Sequence, residues 1–250
     1  MDGWMRMPRR LLFFLSLFAA TATALDNGKT LTAEDFARGS VPRCSPGNAP
    51  TILTVQISPK LSPYQFTLVP EPVSTQHGDV HHVGRIEISK PGARAILQTI
   101  PVMSNWNDSV CRLFDATDVN FDGYLDISVV REGAATWASR DYYLFDPQSG
   151  RFVSNELTRD LGQVKSNGLI LDWKTQEIQA SFMFSLCGGI DIYRIANGRL
   201  VKVQKSEVTV DIEGKRCIET VRRRVSGKWK VLRVEATKLP KTGPEIVGRP

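Results

Sequence analysis

The sequence predicts an all-β fold: a single domain of antiparallel hairpins, arranged as a meander, a propeller-like sheet or two packed sheets. From Thr51 onward, short stretches of alternating apolar and polar residues recur, and this alternation is typical of half-buried strands. Turn sequences that contain glycine, Asn197-Gly198 among them, separate several of these stretches and indicate hairpins. The composition, 42% hydrophobic and 23% charged, is that of an ordinary globular protein and excludes extended disorder, collagen and coiled coil.

Residues 1–24 have the features of a cleavable signal peptide. Three arginines precede the apolar run Leu11–Ala20, and Ala22-Thr23-Ala24 supplies the small residues at which signal peptidase cleaves. The run is shorter than the 20 or so residues that a membrane-spanning helix needs. We therefore predict export to the periplasm with cleavage after Ala24. The alternative is an uncleaved N-terminal anchor.

The rest of the chain divides into three parts. Residues 25–50 are rich in Gly, Pro, Ser and Asn and predict an N-terminal arm, with a short helix over residues 32–38 that begins at the potential cap Thr32. Residues 51–234 form the predicted β domain. Residues 235–250 contain three prolines and predict a loose C-terminal tail.

The predicted strands follow one another as hairpins. In the first half, alternating stretches lie at residues 52–57, 64–68 and 85–88, and 95–102 pairs with the last of them. In the second half, one pattern occurs three times: alternation, a turn with glycine, a basic residue and renewed alternation. A further pair surrounds Lys174-Thr175-Gln176. The turn glycines are unevenly spaced, so the pattern does not indicate a multi-blade array.

Four cysteines follow the signal segment. An even number of cysteines in an exported chain predicts two disulfides, although free buried thiols remain an alternative. Four cysteines allow three connectivities; because Cys187 and Cys217 flank consecutive hairpins, we favour their pairing, which leaves Cys44 with Cys111. The absence of a Cys-x-x-Cys spacing disfavours a zinc site or a dithiol redox motif.

The segment DVNFDGYLD at residues 118–126 predicts a calcium loop. Calcium takes six to eight oxygen ligands from a tight loop whose sharp turn requires glycine, and Gly123 occupies the sixth loop position. Closely packed carboxylates would also repel one another without a cation. The candidate ligands are Asp118, Asn120, Asp122, Tyr124 and Asp126. Tyr124 would bind through its backbone carbonyl and the other four through their side chains.

This loop differs from a complete EF-hand. Position 12 is Val129 instead of glutamate, and the flanking segments predict strands instead of helices. A further ligand would come from water or from elsewhere, and Asp115 is the nearest candidate. We expect a structural Ca²⁺ ion, because a saturated oxygen cage leaves no open position for catalysis. The alternative is a turn rich in Asp and Asn that holds no metal.

With the following Ile127–Val130, the loop resembles the calcium loop of FG-GAP and VCBS-type β-propeller repeats, in a single copy. The order DVNFDGYLDISVV, YYLFDPQSGRFV, a glycine-containing loop and IYRIANGRLVKV is similar to a family of single-domain periplasmic proteins of proteobacteria with one such loop. The similarity spans approximately residues 85–205. Some members are immunity proteins that inhibit lysozyme-type effectors of a bacterial-killing type IV secretion system.

The resemblance implies a calcium-binding protein that binds another protein, a lysozyme-like cell-wall hydrolase. A rigid hairpin loop would fill the substrate cleft of that hydrolase. We assign this role to the glycine-containing loop, because a disulfide at Cys187 would pre-organise it. Its residues are Leu186, Cys187, Gly188 and Gly189.

No motif indicates an enzyme. The chain has no G-x-S-x-G elbow and no nucleotide-binding glycine motif, and its carboxylates outside the loop are scattered. Two alternatives to the inhibitor remain open. One is a carbohydrate- or envelope-binding module that uses the basic C-terminal end or the aromatic residues. The other is a metal-stabilised structural periplasmic protein. The tryptophans that could take part in carbohydrate binding are Trp106, Trp137, Trp173 and Trp229.

The net charge has a local origin. The chain carries +6, and residues 1–24 hold three arginines and one aspartate, so the exported part carries +4. Residues 201–250 hold 13 basic and 6 acidic side chains, a net +7. The positive charge therefore belongs to the C-terminal hairpin and its surroundings. We expect neither a nucleic-acid partner nor stable membrane insertion, while contact with an anionic envelope polysaccharide stays open.

Overall fold

The structure, a computed structural model, describes residues 29–39, 49–75, 78–102, 113–134, 137–184 and 187–239. These residues form fifteen strands and two short helices in three sheets, which confirms the predicted all-β class. In each sheet the strands follow chain order, and apart from the first two strands all neighbours are antiparallel. Among the described helices, none has the length and apolar character required to cross a membrane.

The first sheet incorporates part of the predicted arm. Its first strand runs parallel to the second, and the side chains of Leu31 and Phe36 are buried. Helix α1 begins after Thr32, whose backbone N–H and hydroxyl both donate to the Asp35 carboxylate, as the sequence predicts. The elements are β1 (Thr30–Leu31), α1 (Ala33–Ala37), β2 (Thr51–Val55), β3 (Tyr64–Thr75), β4 (Gly78–Ser89) and β5 (Ile96–Pro101).

The second sheet has four strands and leads into a short helix. Asn155 caps this helix, because its side-chain oxygen accepts the backbone N–H of Thr158. The elements are β6 (Phe114–Thr117), β7 (Asp126–Ala134), β8 (Trp137–Asp146), β9 (Arg151–Val153) and α2 (Glu156–Gly162).

The third sheet is a six-stranded meander. At Asn197-Gly198 and Ser226-Gly227 both turn residues have positive φ, as type I′ hairpin turns require. The last strand continues to Lys238, four residues into the predicted loose tail, because Thr237 still pairs with Cys217 of the preceding strand. The strands are β10 (Leu169–Asp172), β11 (Glu177–Phe184), β12 (Cys187–Ala196), β13 (Arg199–Asp211), β14 (Arg216–Val225) and β15 (Lys228–Lys238).

Two apolar cores hold the sheets together. The larger lies between the first sheet and one face of the second, where the rings of Phe66 and Phe114 are 5.5 Å apart and both are buried. The smaller lies between β8, α2 and the third sheet, and contains Tyr142, Leu161 and Ile178. The second sheet is therefore packed on both faces. One face packs on the first sheet, and the other, its outer face, packs on α2 and the third sheet.

The beginning of β12 lies against β13 and β14. Cys187 and Cys217 form a disulfide with a Cα–Cα distance of 5.8 Å, which confirms the pairing that the sequence favours. Cys44 and Cys111 lie outside the described residues, so their pairing stays a prediction. A Cβ atom on Gly189 would come within 2.6 Å of the Ser206 Cβ, so this close approach requires glycine.

Candidate functional site

The predicted calcium loop connects β6 to β7 and has the sharp bend that its glycine predicts. Gly123 has a φ of 89° and Phe121 a φ of 64°, so two of its residues adopt the left-handed conformation. Phe121 also meets Trp173 of the β10–β11 turn edge-on, with ring centroids 5.2 Å apart. After the bend, the backbone N–H of Leu125 donates to the Ile57 carbonyl and anchors the loop on the first sheet.

The loop side chains turn inward to their own backbone. The buried Asp118 carboxylate accepts the N–H groups of Asp122 and Gly123 at 3.0 and 2.6 Å. Asn120 Oδ1 accepts the Asp122 N–H at 3.2 Å, and Asp122 Oδ1 accepts the Tyr124 N–H at 2.9 Å. Three of the predicted side-chain ligands therefore face the same few backbone groups.

Asp126 links the end of the loop to β8. Its two carboxylate oxygens accept the N–H groups of Val119 at 3.0 Å and Phe145 at 2.9 Å. The side chain is fully buried. Both carboxylate oxygens thus already accept backbone hydrogen bonds. Asp126 therefore stabilises the loop whether or not it also binds a metal.

The loop concentrates negative charge in a poorly solvated place. Burial, assisted by the charges of Asp122 and Asp118, raises the pKa of Asp126 to about 8 against the effect of its backbone hydrogen bonds. Burial and the Asp122 charge also raise the pKa of Asp118, again against backbone hydrogen bonds. A bound cation would relieve this repulsion.

The donor set fits calcium better than a transition metal. No group of three or more His, Cys, Asp or Glu side chains within the described ranges is placed to hold a metal ion. A cation here would instead depend on a mixed set of oxygens from Asp118, Asn120, Asp122 and the Tyr124 carbonyl. Oxygen-only ligation of this kind suits calcium, whose remaining positions water can fill. Calcium binding stays a prediction.

The predicted partner-binding segment lies at the start of a strand instead of in a loop. Leu186 is outside the described residues. Cys187 and Gly189 are buried in β12, whereas Gly188 is exposed. The expected restraint by a disulfide at Cys187 is present, but from Cys187 onward the backbone forms a strand instead of a loop, and the close approach to Ser206 holds it against β13. Partner binding by this segment stays a prediction. The nearest exposed apolar side chain is Ile190, at 41%.

A groove of about 410 Å³ adjoins this segment on the third sheet. Ser206 stands in its wall, accepts the Ile190 N–H at 3.2 Å and donates to Glu219 at 2.6 Å. Arg233 reaches Glu219 from β15 at 3.6 Å. The apolar side chains along the groove are Phe182, Met183, Ile190 and Ile192.

The basic hairpin β14–β15 is partly neutralised by acidic neighbours. Arg222 pairs with Glu207 at 2.8 Å, and Arg223 approaches Glu177 at 3.5 Å. Both glutamates come from other strands of the same sheet. These ion pairs connect the hairpin to the other strands of the sheet. The net charge of the C-terminal segment does not predict them.

The three described tryptophans do not form a continuous platform. Trp106 lies outside the described residues. Trp137 and Trp229 sit beneath the ammonium groups of Lys165 and Lys205, and Trp173 meets Phe121. In the part of the chain that the structure describes, no tryptophan ring stacks on another.

Comparison with known proteins gives a match to a solved structure. No family model matches the sequence, and no curated protein matches it significantly. The fold is similar to that of a solved structure described as a Xanthomonas type IV secretion system related protein. The two chains share 15% identity with a TM-score of 0.51, over 77% of this chain and 98% of the other. At this identity the similarity shows the fold alone.

Proposed function

We propose that this chain is an exported, calcium-stabilised β protein that binds another protein and inhibits a lysozyme-type cell-wall hydrolase. The observation that carries the proposal is the fold similarity to the Xanthomonas type IV secretion system related protein, which extends over 98% of that chain. The resemblance of the calcium loop and the hairpins that follow it points to the same kind of secretion system and supports the proposal. The Cys187–Cys217 disulfide supports export, because disulfides persist in oxidising compartments.

Calcium would have a structural role in this protein. When bound, it would neutralise the carboxylates that crowd the loop between β6 and β7. Asp118, Asn120, Asp122 and the Tyr124 carbonyl would hold it, and Asp126 would fix the loop to β8 through its two backbone hydrogen bonds. A rigid loop would then support both apolar cores, since Val119 belongs to the smaller core and Leu125 to the larger.

The partner would bind at the β11–β12 hairpin and the adjoining groove. The disulfide restrains the start of β12, so little conformational freedom would be lost on binding. Ile190, at 41% exposure, gives this surface an apolar contact beside the polar pair Ser206 and Glu219. An apolar centre with a polar surround is the usual anatomy of a protein interface.

An inhibition assay tests the proposal. The mature protein is mixed with a panel of lysozyme-type hydrolases; clearing of a peptidoglycan suspension measures inhibition, and calorimetry measures complex formation. We expect at least one enzyme to be inhibited in a one-to-one complex.

The variant Ile190→Asp should weaken that complex about tenfold or more, because it places a charge in an apolar contact. The matched control is Ile96→Asp, at an apolar residue that is 53% exposed on β5 of the first sheet, a different sheet from the proposed surface. Absence of both inhibition and a complex across the panel would refute the proposal. An equal effect of the two variants would refute the assignment of the surface.

A further inference from the structure

A second concave site adjoins the smaller core. It is a cleft of about 610 Å³ between the outer face of the second sheet, helix α1 and strands β10 and β11. No motif in the sequence indicates it, because its walls come from four separate parts of the chain. The volume falls in the range of small-molecule sites.

The floor of the cleft is a row of polar side chains. Asp115 pairs in register with Ser128, and Ser128 with Tyr142, so the three lie side by side on β6, β7 and β8. Arg140 lies two residues along β8 from Tyr142, on the same face. Its Nε donates to Ser128 Oγ at 2.9 Å and its Nη2 to the Leu113 carbonyl at 3.0 Å. The guanidinium is thus held in one orientation at the cleft.

Two polar groups in this floor each keep a donor that no described residue accepts: the Tyr142 hydroxyl and the Arg140 Nη1. Tyr142 is 7% exposed, and no group in the described ranges hydrogen-bonds its hydroxyl. Arg140 forms no ion pair there, and its Nη1 makes no hydrogen bond. Buried polar groups are nearly always hydrogen-bonded, so the unsatisfied hydroxyl and the free edge of the guanidinium point to a bound molecule.

The charges in the cleft are of both signs. Burial raises the pKa of Tyr142 to about 12, the Arg140 charge lowers it and the Asp115 charge raises it, so both charges act close to the phenol. The hydroxyl therefore keeps its proton and can donate. No ion pair joins Asp115 to Arg140 although both line the cleft. Both charges therefore remain available to a ligand that carries an anionic group and a donor.

One wall of the cleft is apolar and open. Ile170 is 59% exposed and Trp173 is 57% exposed, and both line the cleft together with Phe36 of α1. An apolar wall facing a few convergent polar groups is the usual composition of a ligand site.

We propose that this cleft binds a small carboxylic acid with a hydrogen-bond donor on the neighbouring carbon. Arg140 and the Tyr142 hydroxyl would receive the carboxylate, because a guanidinium edge and a hydroxyl are its natural donors. Asp115 would accept a hydrogen bond from the ligand's ammonium or hydroxyl group. Ile170 and Trp173 would contact the apolar part of the ligand. α-Amino acids and α-hydroxy acids share this chemistry. The site goes beyond the proposed inhibition, since it requires no protein partner.

Titration calorimetry with alanine, lactate and inorganic phosphate tests this proposal on the mature protein. We expect saturable binding of alanine, lactate or both in the millimolar range, and weaker binding of phosphate. Asp115→Asn distinguishes amino acids from hydroxy acids. When the acceptor loses its charge, the affinity for a ligand with an ammonium group should fall more than the affinity for a ligand with a hydroxyl group.

Tyr142→Phe removes only the hydroxyl and should weaken binding about tenfold. The matched control is Tyr143→Phe, whose hydroxyl donates to the Pro101 carbonyl outside the cleft and whose loss should leave affinity unchanged. The proposal is overturned if neither acid binds, if phosphate binds as tightly as they do, or if the two tyrosine variants behave alike. Thermal unfolding of each variant verifies that it is folded.

Discussion

Cys187 and Cys217 are bonded to each other although their strands, β12 and β14, are not neighbours in the sheet. The strand between them, β13, pairs with β12 only as far as the Ile192–Gln204 pair, beside a register shift. Before Ile192 the strand β12 no longer pairs with β13, although it stays paired with β11 as far as Cys187. The disulfide therefore fastens the part of β12 that has lost its ladder to β13.

Removing this disulfide should lower stability substantially. The bond closes a loop of 30 residues, and constraint of the unfolded chain by such a loop is worth about 3–4 kcal/mol. We expect the double variant Cys187→Ala/Cys217→Ala to lose that much free energy of unfolding in urea titrations. The double change avoids leaving one free thiol. An unchanged urea midpoint would show that packing alone holds β12 in place.

A methyl group at Gly189 should also destabilise the protein. It would lie 2.6 Å from the Ser206 Cβ and 2.8 Å from the Phe182 ring, and overpacking of this kind costs about 1–3 kcal/mol. We expect Gly189→Ala to show this loss in urea unfolding. In the matched change Gly162→Ala the nearest atom would be 3.4 Å away, so its cost should be much smaller. Equal costs would contradict the close approach of β12 and β13.

Calcium should stabilise the metal-free protein. A ligand present at a hundred times its dissociation constant adds about 2.7 kcal/mol, so calcium should raise the melting temperature after chelator treatment. Asp122→Ala should abolish this rise. Asp211→Ala is the control, because Asp211 also accepts a backbone N–H in a turn, that of Gly214, but far from the loop. A melting temperature that does not change when calcium is added would rule out the predicted site.

The Asp160–Arg199 pair should make stability depend on acid pH. Arg199 donates to Asp160 at 2.7 and 2.8 Å and ties β13 to α2. Its hydrogen bonds, with smaller help from the Leu200 N–H and nearby charge, lower the pKa of Asp160. A lowered carboxyl pKa adds stability above the ordinary value near 3.9, and that stability is lost as the pH falls through the lowered pKa.

Asp160→Asn should therefore lose up to about 1 kcal/mol at pH 7, the upper range for an exposed pair. The difference from the unmodified protein should shrink as the pH falls below about 4. Urea unfolding at pH 7 and pH 3 measures it, and Glu213→Gln at an exposed turn residue is the control. A difference that stays constant with pH would show that the carboxylate charge does not contribute.

The features that the sequence predicts well are local ones. A type I′ turn at Asn197-Gly198 needs only two residues with positive φ, and the loop from Asp118 to Asp126 needs only nine residues at the right spacing. The short helix after Thr32 likewise depends on a cap three residues from its partner. In each case the chemistry that decides the structure lies within one turn of the chain.

The features that the sequence does not predict depend on distant contacts. The start of β12 looks like a loop in the sequence because it contains two glycines, yet Gly189 is needed for close packing against Ser206, 17 positions later. Likewise, Tyr142 reads as one more alternating residue of a strand. Only the pairing of β6, β7 and β8 places it beside Asp115 and Ser128. No periodicity in the chain encodes these neighbours.

The edge-to-face contact between Phe121 and Trp173 places an indole fluorophore directly against the calcium loop. Because Trp173 is 57% exposed, its emission wavelength and its access to a soluble quencher report on the solvent around it. Any rearrangement of the loop backbone that moves Phe121 would therefore be read out optically, without an added label. Trp173→Phe would silence that signal and identify its source among the tryptophans of the chain.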